Sequence, residues 1–138
     1  MSGLARYFHS KGYRVAGYDL VKGEMTLQLE KLGIDINYTA DPENVKEPWT
    51  DEDHTIVIYT PAIPASNPQM KFFRNKGFIM LKRAEVLGLI TRDRETYAVA
   101  GTHGKTSVSS LLAHIFSYSD TRVDAFLGGV SRNFSSNV

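Results

Sequence analysis

The chain has no cysteine, so neither a disulfide nor a thiolate metal site can form within it. It has no excess of charge: 16 Lys and Arg stand against 15 Asp and Glu, a formal net charge of +1. That balance gives no bulk attraction to nucleic acid or to an anionic membrane, so any anion must be held by a local arrangement. No apolar run approaches the roughly 20 residues of a membrane span, and no signal-peptide pattern opens the chain. The expectation is a cytoplasmic protein with no membrane insertion and no nucleic-acid partner. Internal repeats and low-complexity tracts are also missing. What remains is 42% hydrophobic and 11% aromatic over 138 residues, enough to bury a core in one domain or two small pieces.

Periodicity predicts helices over residues 2–11, 24–32, 69–76 and 84–90, the first three followed by Gly12, Gly33 and Gly77. Ser2 is a candidate N-cap, and Asp41-Pro42-Glu43 a helix or turn start. Strands are predicted over residues 13–18, 34–38, 55–59 and 78–81. The run Thr55-Ile56-Val57-Ile58-Tyr59 is apolar throughout, which suits a parallel strand covered on both faces. Strands alternating with helices imply an α/β fold with a parallel, Rossmann-like sheet. Its first strand and glycine turn are missing ahead of the helix at residues 2–11, and a sheet without that central member would leave two unpaired edges for homodimerisation or strand exchange to cover. Residues 91–95 are the best boundary, dividing the chain into 1–92 and 93–138.

The most informative stretch is residues 97–116. Residues 97–100 read as a short buried strand, Gly101-Thr102-His103-Gly104 as a tight loop, and Lys105-Thr106 as the opening of a helix with Val108, Leu111, Leu112, Ile115 and Phe116 on one face. Strand, glycine loop, Lys-Thr, helix is the layout of a phosphate cradle. The strict G-x-x-x-x-G-K-[ST] pattern fails at its first glycine, where Val99 stands. An ordinary strand-to-helix turn would explain the glycines, but not Lys followed by Thr. A further strand is expected at residues 125–127, running into Gly128-Gly129. Asp19 ends the strand at residues 13–18, where an acidic residue can bond a ribose, or it is an exposed turn residue. The proline-rich loop at residues 60–67 is placed either to bind ligand or to act as a rigid connector. His9, His54 and His114 have no second ligand at metal spacing and are expected at surface or edge positions.

Met1-Ser2-Gly3-Leu4-Ala5-Arg6, Gly17-Tyr18-Asp19, Thr60-Pro61-Ala62-Ile63, Arg83-Ala84-Glu85-Val86-Leu87, residues 98–106 and Gly128-Gly129 occur in order and at sensible spacing. Together they resemble the Mur ligase family, over nearly the whole chain, and the family also lacks the first glycine of the strict loop pattern. The resemblance implies a UDP-sugar-binding domain at 1–92 and the beginning of a P-loop, ATP-binding domain at 93–138. It also implies that Met1 is internal to a longer ligase and that this portion is inactive alone. His103 resembles the branch that joins L-alanine to the lactyl carboxylate of UDP-N-acetylmuramate through an acyl phosphate, or the branch that recycles murein tripeptide.

By the same resemblance, Lys105 neutralises ATP phosphates, Thr106 ligates Mg²⁺, and Gly101, Thr102, His103 and Gly104 line the loop. Asp19, Thr60, Pro61 and Ala62 contact the UDP portion, and Asn137 lies near the sugar. Arg83 and Glu85 mark the domain junction or form a local ion pair. Thr39-Ala40 replaces the family's frequent Gly-His, and Thr60-Pro61 its frequent Ser-Ser. Outside the family, an unrelated P-loop NTPase or kinase and a non-enzymatic nucleotide-binding module stay open.

Overall fold

A computed structural model describes residues 1–119, 121 and 123–128. The elements run α1 (Ser2–Ser10), β1 (Ala16–Tyr18), α2 (Glu24–Lys31), β2 (Asp35–Asn37), a 3-10 turn (Pro42–Asn44), β3 (Ile56–Tyr59), α3 (Pro68–Asn75), β4 (Ile79–Lys82), α4 (Arg83–Thr91) and α5 (Lys105–Tyr118). The helix expected from Ser2 begins with that residue already inside it, and Met1 takes the cap position.

Three helix ends share one local cause. After α1, Gly12 adopts φ 84, its N–H donates to His9 O, and the Tyr13 N–H donates to Phe8 O. Gly33 after α2 and Gly77 after α3 repeat the pattern, with Ile34 N–H to Leu29 O and Phe78 N–H to Phe73 O. These are Schellman closures, in which the residue after the glycine also packs back on the last turn. Phe8 meets Tyr13 edge-on at 5.6 Å, and Phe73 meets Phe78 at 5.0 Å. Each glycine therefore ends a helix and aims the chain into the next strand.

Helix starts are specified as locally. The Thr26 hydroxyl donates to Gly23 O and accepts from Gly23 N–H, both at 2.9 Å. Asn67 Oδ1 accepts from Met70 N–H at the head of α3, and Pro68 follows as the first helical residue. Glu85 Oε2 accepts the Lys82 N–H at 2.6 Å, capping α4. Glu85 thus serves its own helix, and no ion pair with Arg83 is formed among the described residues.

β1 pairs in parallel with β2, from Ala16 opposite Asp35 to Tyr18 opposite Asn37. β3 pairs in parallel with β4, from Ile56 opposite Ile79 to Tyr59 opposite Lys82. Among the described residues these are two separate two-stranded sheets, with no ladder between them. Helix α2 covers β2 and α1 packs on α2, where Arg6 donates to Gln28 Oε1 at 2.7 Å. Helix α4 packs on β3 and β4. The core follows the same division: Leu4, Tyr7, Leu29 and Ile34 are buried on the first half, Met70, Phe78 and Val86 on the second.

Two expected strands are absent. Residues 97–100 and 125–127 carry no strand pairing. A strand exists only through a neighbour's backbone groups, and none of the described residues forms a ladder with either stretch. Tyr97 is 61% exposed, so the expected burial also fails, although its ring lies 5.1 Å from that of Phe116. Leu127 is buried without being a strand residue, and Phe126 packs on Tyr7 at 5.3 Å. On α5, Val108, Leu111 and Ile115 of the expected inner face are about half exposed, and Ala113 is the buried position. No helix among the described residues is long and apolar enough to cross a membrane.

Candidate functional site

The loop before α5 is built by two glycines in conformations that other residues resist. Gly101 has φ 150 and Gly104, the N-cap of α5, has φ 76. A Cβ on Gly101 would approach His103 O to 3.5 Å, whereas one on Gly104 would meet open space. The first intrahelical bond runs from Val108 N–H to Gly104 O at 2.9 Å. The amides of Lys105, Thr106 and Ser107 therefore have no helical acceptor, and the N-cap glycine offers no side chain to cap them. Three such donors at the positive end of a 14-residue helix suit an anion.

Lys105 is folded back over its own loop. Its Nζ donates to Gly101 O at 2.6 Å and to Thr102 O at 3.1 Å. This satisfies the loop carbonyls and keeps one positive charge at the mouth. Thr102, His103 and Thr106 are exposed. Gly128 packs against the Thr106 hydroxyl so closely that a Cβ there would come within 3.3 Å of it.

Gly128 also lines a cleft of about 110 Å³ with Met1, Ser2, Gly3, Leu4, Arg83, Phe126 and Leu127. The cleft thus joins the N-terminus of α1 to the first residue of α4 and reaches the Thr106 side of the loop. Burial and the Arg83 charge push the Met1 α-amino group below its usual pKa, partly countered by Asp19. Ligand pockets commonly span about 300–1,000 Å³. The cleft therefore suits one anionic group rather than a whole nucleotide sugar.

The structure thus brings Arg83 and Gly128 to one cleft, with Thr106 beside Gly128, and Asp19 is not among the cleft's lining residues. Asp19 is exposed; its N–H extends the ladder to Asn37 O at 3.0 Å and its Oδ1 accepts from Val21 N–H at 3.1 Å. Thr60, Pro61 and Ala62 follow β3, where Thr60 O accepts from Ile63 N–H at 3.1 Å, and they do not line the cleft. Asn137 lies outside the described residues, as does Gly129. His54 is exposed beside Asp51, and His114 stacks edge-on to Tyr118. Among the described residues no cluster of three or more His, Asp or Glu side chains could hold a metal. Arg83 is the cleft residue whose place sequence reasoning left open. Nothing in the order Lys82-Arg83-Ala84-Glu85 tells which charge caps the helix and which faces the cleft.

Parallel strand pairs flanked by helices define an α/β protein. Comparison with known proteins gives the family. The Mur ligase family, catalytic domain, matches residues 1–95, and the chain belongs to the Mur ligase family. It is 45% identical over 138 residues to UDP-N-acetylmuramate–L-alanine ligase of Porphyromonas gingivalis and 44% identical to that of Cytophaga hutchinsonii. Each match covers 100% of this chain and 30% of the relative, so the chain spans about a third of the length of these curated relatives. Among solved structures, the UDP-N-acetylmuramate-alanine ligase of Thermotoga maritima matches with TM-score 0.85 at 30% identity, covering 96% of this chain and 30% of that one. The UDP-N-acetylmuramate:L-alanyl-gamma-D-glutamyl-meso-diaminopimelate ligase of Neisseria meningitides also matches at 0.85, with 27% identity, covering 99% of this chain and 42% of that one.

Proposed function

We propose that this chain is the UDP-sugar-binding part, with the adjoining ATP loop, of a ligase that joins L-alanine to UDP-N-acetylmuramate in peptidoglycan precursor synthesis. The supporting observation is the end-to-end match, 45% identity over 138 residues, to a relative of that name. Residues 1–92 take the UDP sugar and residues 93–138 open the ATP-binding domain. Asp19, Thr60, Pro61 and Ala62 contact the UDP portion, Asn137 lies near the sugar, and Gly101, Thr102, His103, Gly104, Lys105 and Thr106 hold the ATP phosphates.

The loop fits that role in its own geometry. The amides of Lys105, Thr106 and Ser107 have no helical acceptor at the α5 N-terminus, and Lys105 keeps its charge on the loop carbonyls of Gly101 and Thr102. Thr106 supplies one neutral oxygen, which suits Mg²⁺, an ion that keeps several waters and phosphate oxygens of its own. In that reaction ATP would give its γ-phosphoryl group to the lactyl carboxylate, with ADP leaving and Mg²⁺ offsetting phosphate charge, and the amine of L-alanine would then displace phosphate from the acyl phosphate. The chain's part is positioning and charge neutralisation, the main resources of phosphoryl transfer.

Calorimetric titration of the chain with UDP-N-acetylmuramate and with MgATP tests this reading: both should bind, and Lys105→Ala should remove only the MgATP isotherm. Binding of neither would overturn it. The 138-residue chain alone should release no phosphate with ATP and L-alanine, and turnover would refute that expectation. A second reading, tripeptide recycling, draws on the equally high TM-score of the Neisseria meningitides ligase. Offering L-alanine and the tripeptide in turn to a full-length enzyme carrying this chain separates the two.

A further inference from the structure

Gln69 is a buried polar residue in the second position of α3, 6% exposed. Its Nε2 donates to Thr39 O at 3.1 Å and to Asp41 O at 3.2 Å. Those carbonyls belong to the loop after β2, in the other half of the fold. Since no ladder joins the two strand pairs among the described residues, this amide is a direct polar tie between their carboxyl ends.

The loop it grips is already ordered from within. Asn37 Oδ1 accepts from the Thr39 N–H and hydroxyl, Asn44 Nδ2 donates to Thr39 Oγ1 at 2.7 Å, and Asp41 Oδ1 accepts from Glu43 N–H. Asp19 is tied to the same loop base through Asn37 O. On the other side, Gln69 stands two residues after Asn67, where the loop at residues 60–67 ends. One amide therefore fixes the spacing between the Asp19 side and the Thr60–Pro61–Ala62 side. In open α/β sheets the ligand crevice lies outside the carboxyl ends of the strands.

We infer that Gln69 is a positioning residue for a uridine nucleotide: it locks the loops after β2 and β3 into one preorganised rim. The inference rests on the UDP-sugar reading above. A rim held in place before binding spares the ligand the cost of ordering it. Removing the amide takes the shared donor from the Thr39 and Asp41 carbonyls, leaves the buried position without its polar tie, and frees the loops to part.

The test is calorimetric titration of the 138-residue chain with UDP, at a temperature where each variant is folded by circular dichroism. Gln69→Leu, which keeps the bulk and removes the donors, should weaken UDP about tenfold and leave MgATP affinity unchanged. Gln69→Glu should weaken it further at pH 8 and regain affinity, relative to wild type, towards pH 5, where a protonated carboxyl can donate again. A merely structural glutamine would lower the melting temperature of Gln69→Leu and leave UDP affinity of the folded protein untouched; that result overturns the inference. Should Gln69→Leu not fold, hydrogen exchange of the wild type decides. UDP should slow exchange in residues 38–44 and 60–67 over the same concentration range, and protection of only one segment overturns the inference. Absence of any UDP binding by the wild type is a different failure, that of the UDP-sugar reading, and removes this inference with it.

Discussion

Gly104 is the position where backbone geometry and proposed phosphate binding can be separated from each other. Its φ of 76 is left-handed, yet a Cβ there would touch nothing within 4 Å. Gly104→Ala therefore costs backbone strain alone, about 1–2 kcal/mol for an L-residue in that region. The loop is exposed and α5 is lightly buried, so the empty loop can relax out of the strained conformation. The strain is then charged to binding, because the amides of Lys105, Thr106 and Ser107 must be re-aimed at the phosphates. At about 1.4 kcal/mol per tenfold, this predicts a loss of MgATP affinity of roughly 5- to 30-fold. Gly77 is the matched control, with φ 82 and equally open space, but at the end of α3. Gly77→Ala should lower the melting temperature and leave MgATP affinity of the folded protein as it was. Titration with a fluorescent ATP analogue, below both melting transitions, reads the difference. Unchanged affinity in Gly104→Ala, or an equal loss in Gly77→Ala, would refute the reasoning.

Two further outcomes follow from packing and charge. Ile34 is the most buried residue of the first half, 2% exposed, so Ile34→Ala should lower unfolding free energy by about 2–5 kcal/mol in urea denaturation; an unmoved midpoint would mean the site collapses around the gap. The ring of His54, 2.9 Å from Asp51 Oδ2, holds that carboxyl below its usual pKa, and His54→Ala should move its titration, followed by NMR, back up. A depressed folded pKa adds stability that is present above the unfolded value and lost as pH falls through the folded one. The small advantage of wild type over His54→Ala should therefore fade on acidification, and an advantage that grows would contradict the assignment.

The helices and their ends were legible because their causes are local. Gly12, Gly33 and Gly77 each stand two residues beyond a helix, and each closes it. The first three strands were found with shorter bounds than expected and β4 with its bounds moved on by one residue, since periodicity marks apolar residues while pairing decides the ladder. Residues 97–100 and 125–127 carry the same apolar signal without a ladder, because a strand is a property of two segments. The loop before α5 could be read from Gly101, Gly104, Lys105 and Thr106, which act within six residues. Gln69 was invisible for the opposite reason. Its partners, Thr39 and Asp41, lie 30 and 28 residues away, and a glutamine near a helix start ordinarily faces water.

The separation of β1–β2 from β3–β4 bears on how the molecule opens. In a continuous sheet, unzipping one strand exposes backbone groups of the next, and the whole sheet yields together. Among the described residues, opening either pair breaks no ladder bond of the other, so cooperativity between these two pairs passes through helix packing and side chains. Native-state hydrogen exchange should then resolve two protection classes that divide between β2 and β3, rather than a single global one. The side chain of Gln69 is placed where those two units would have to agree.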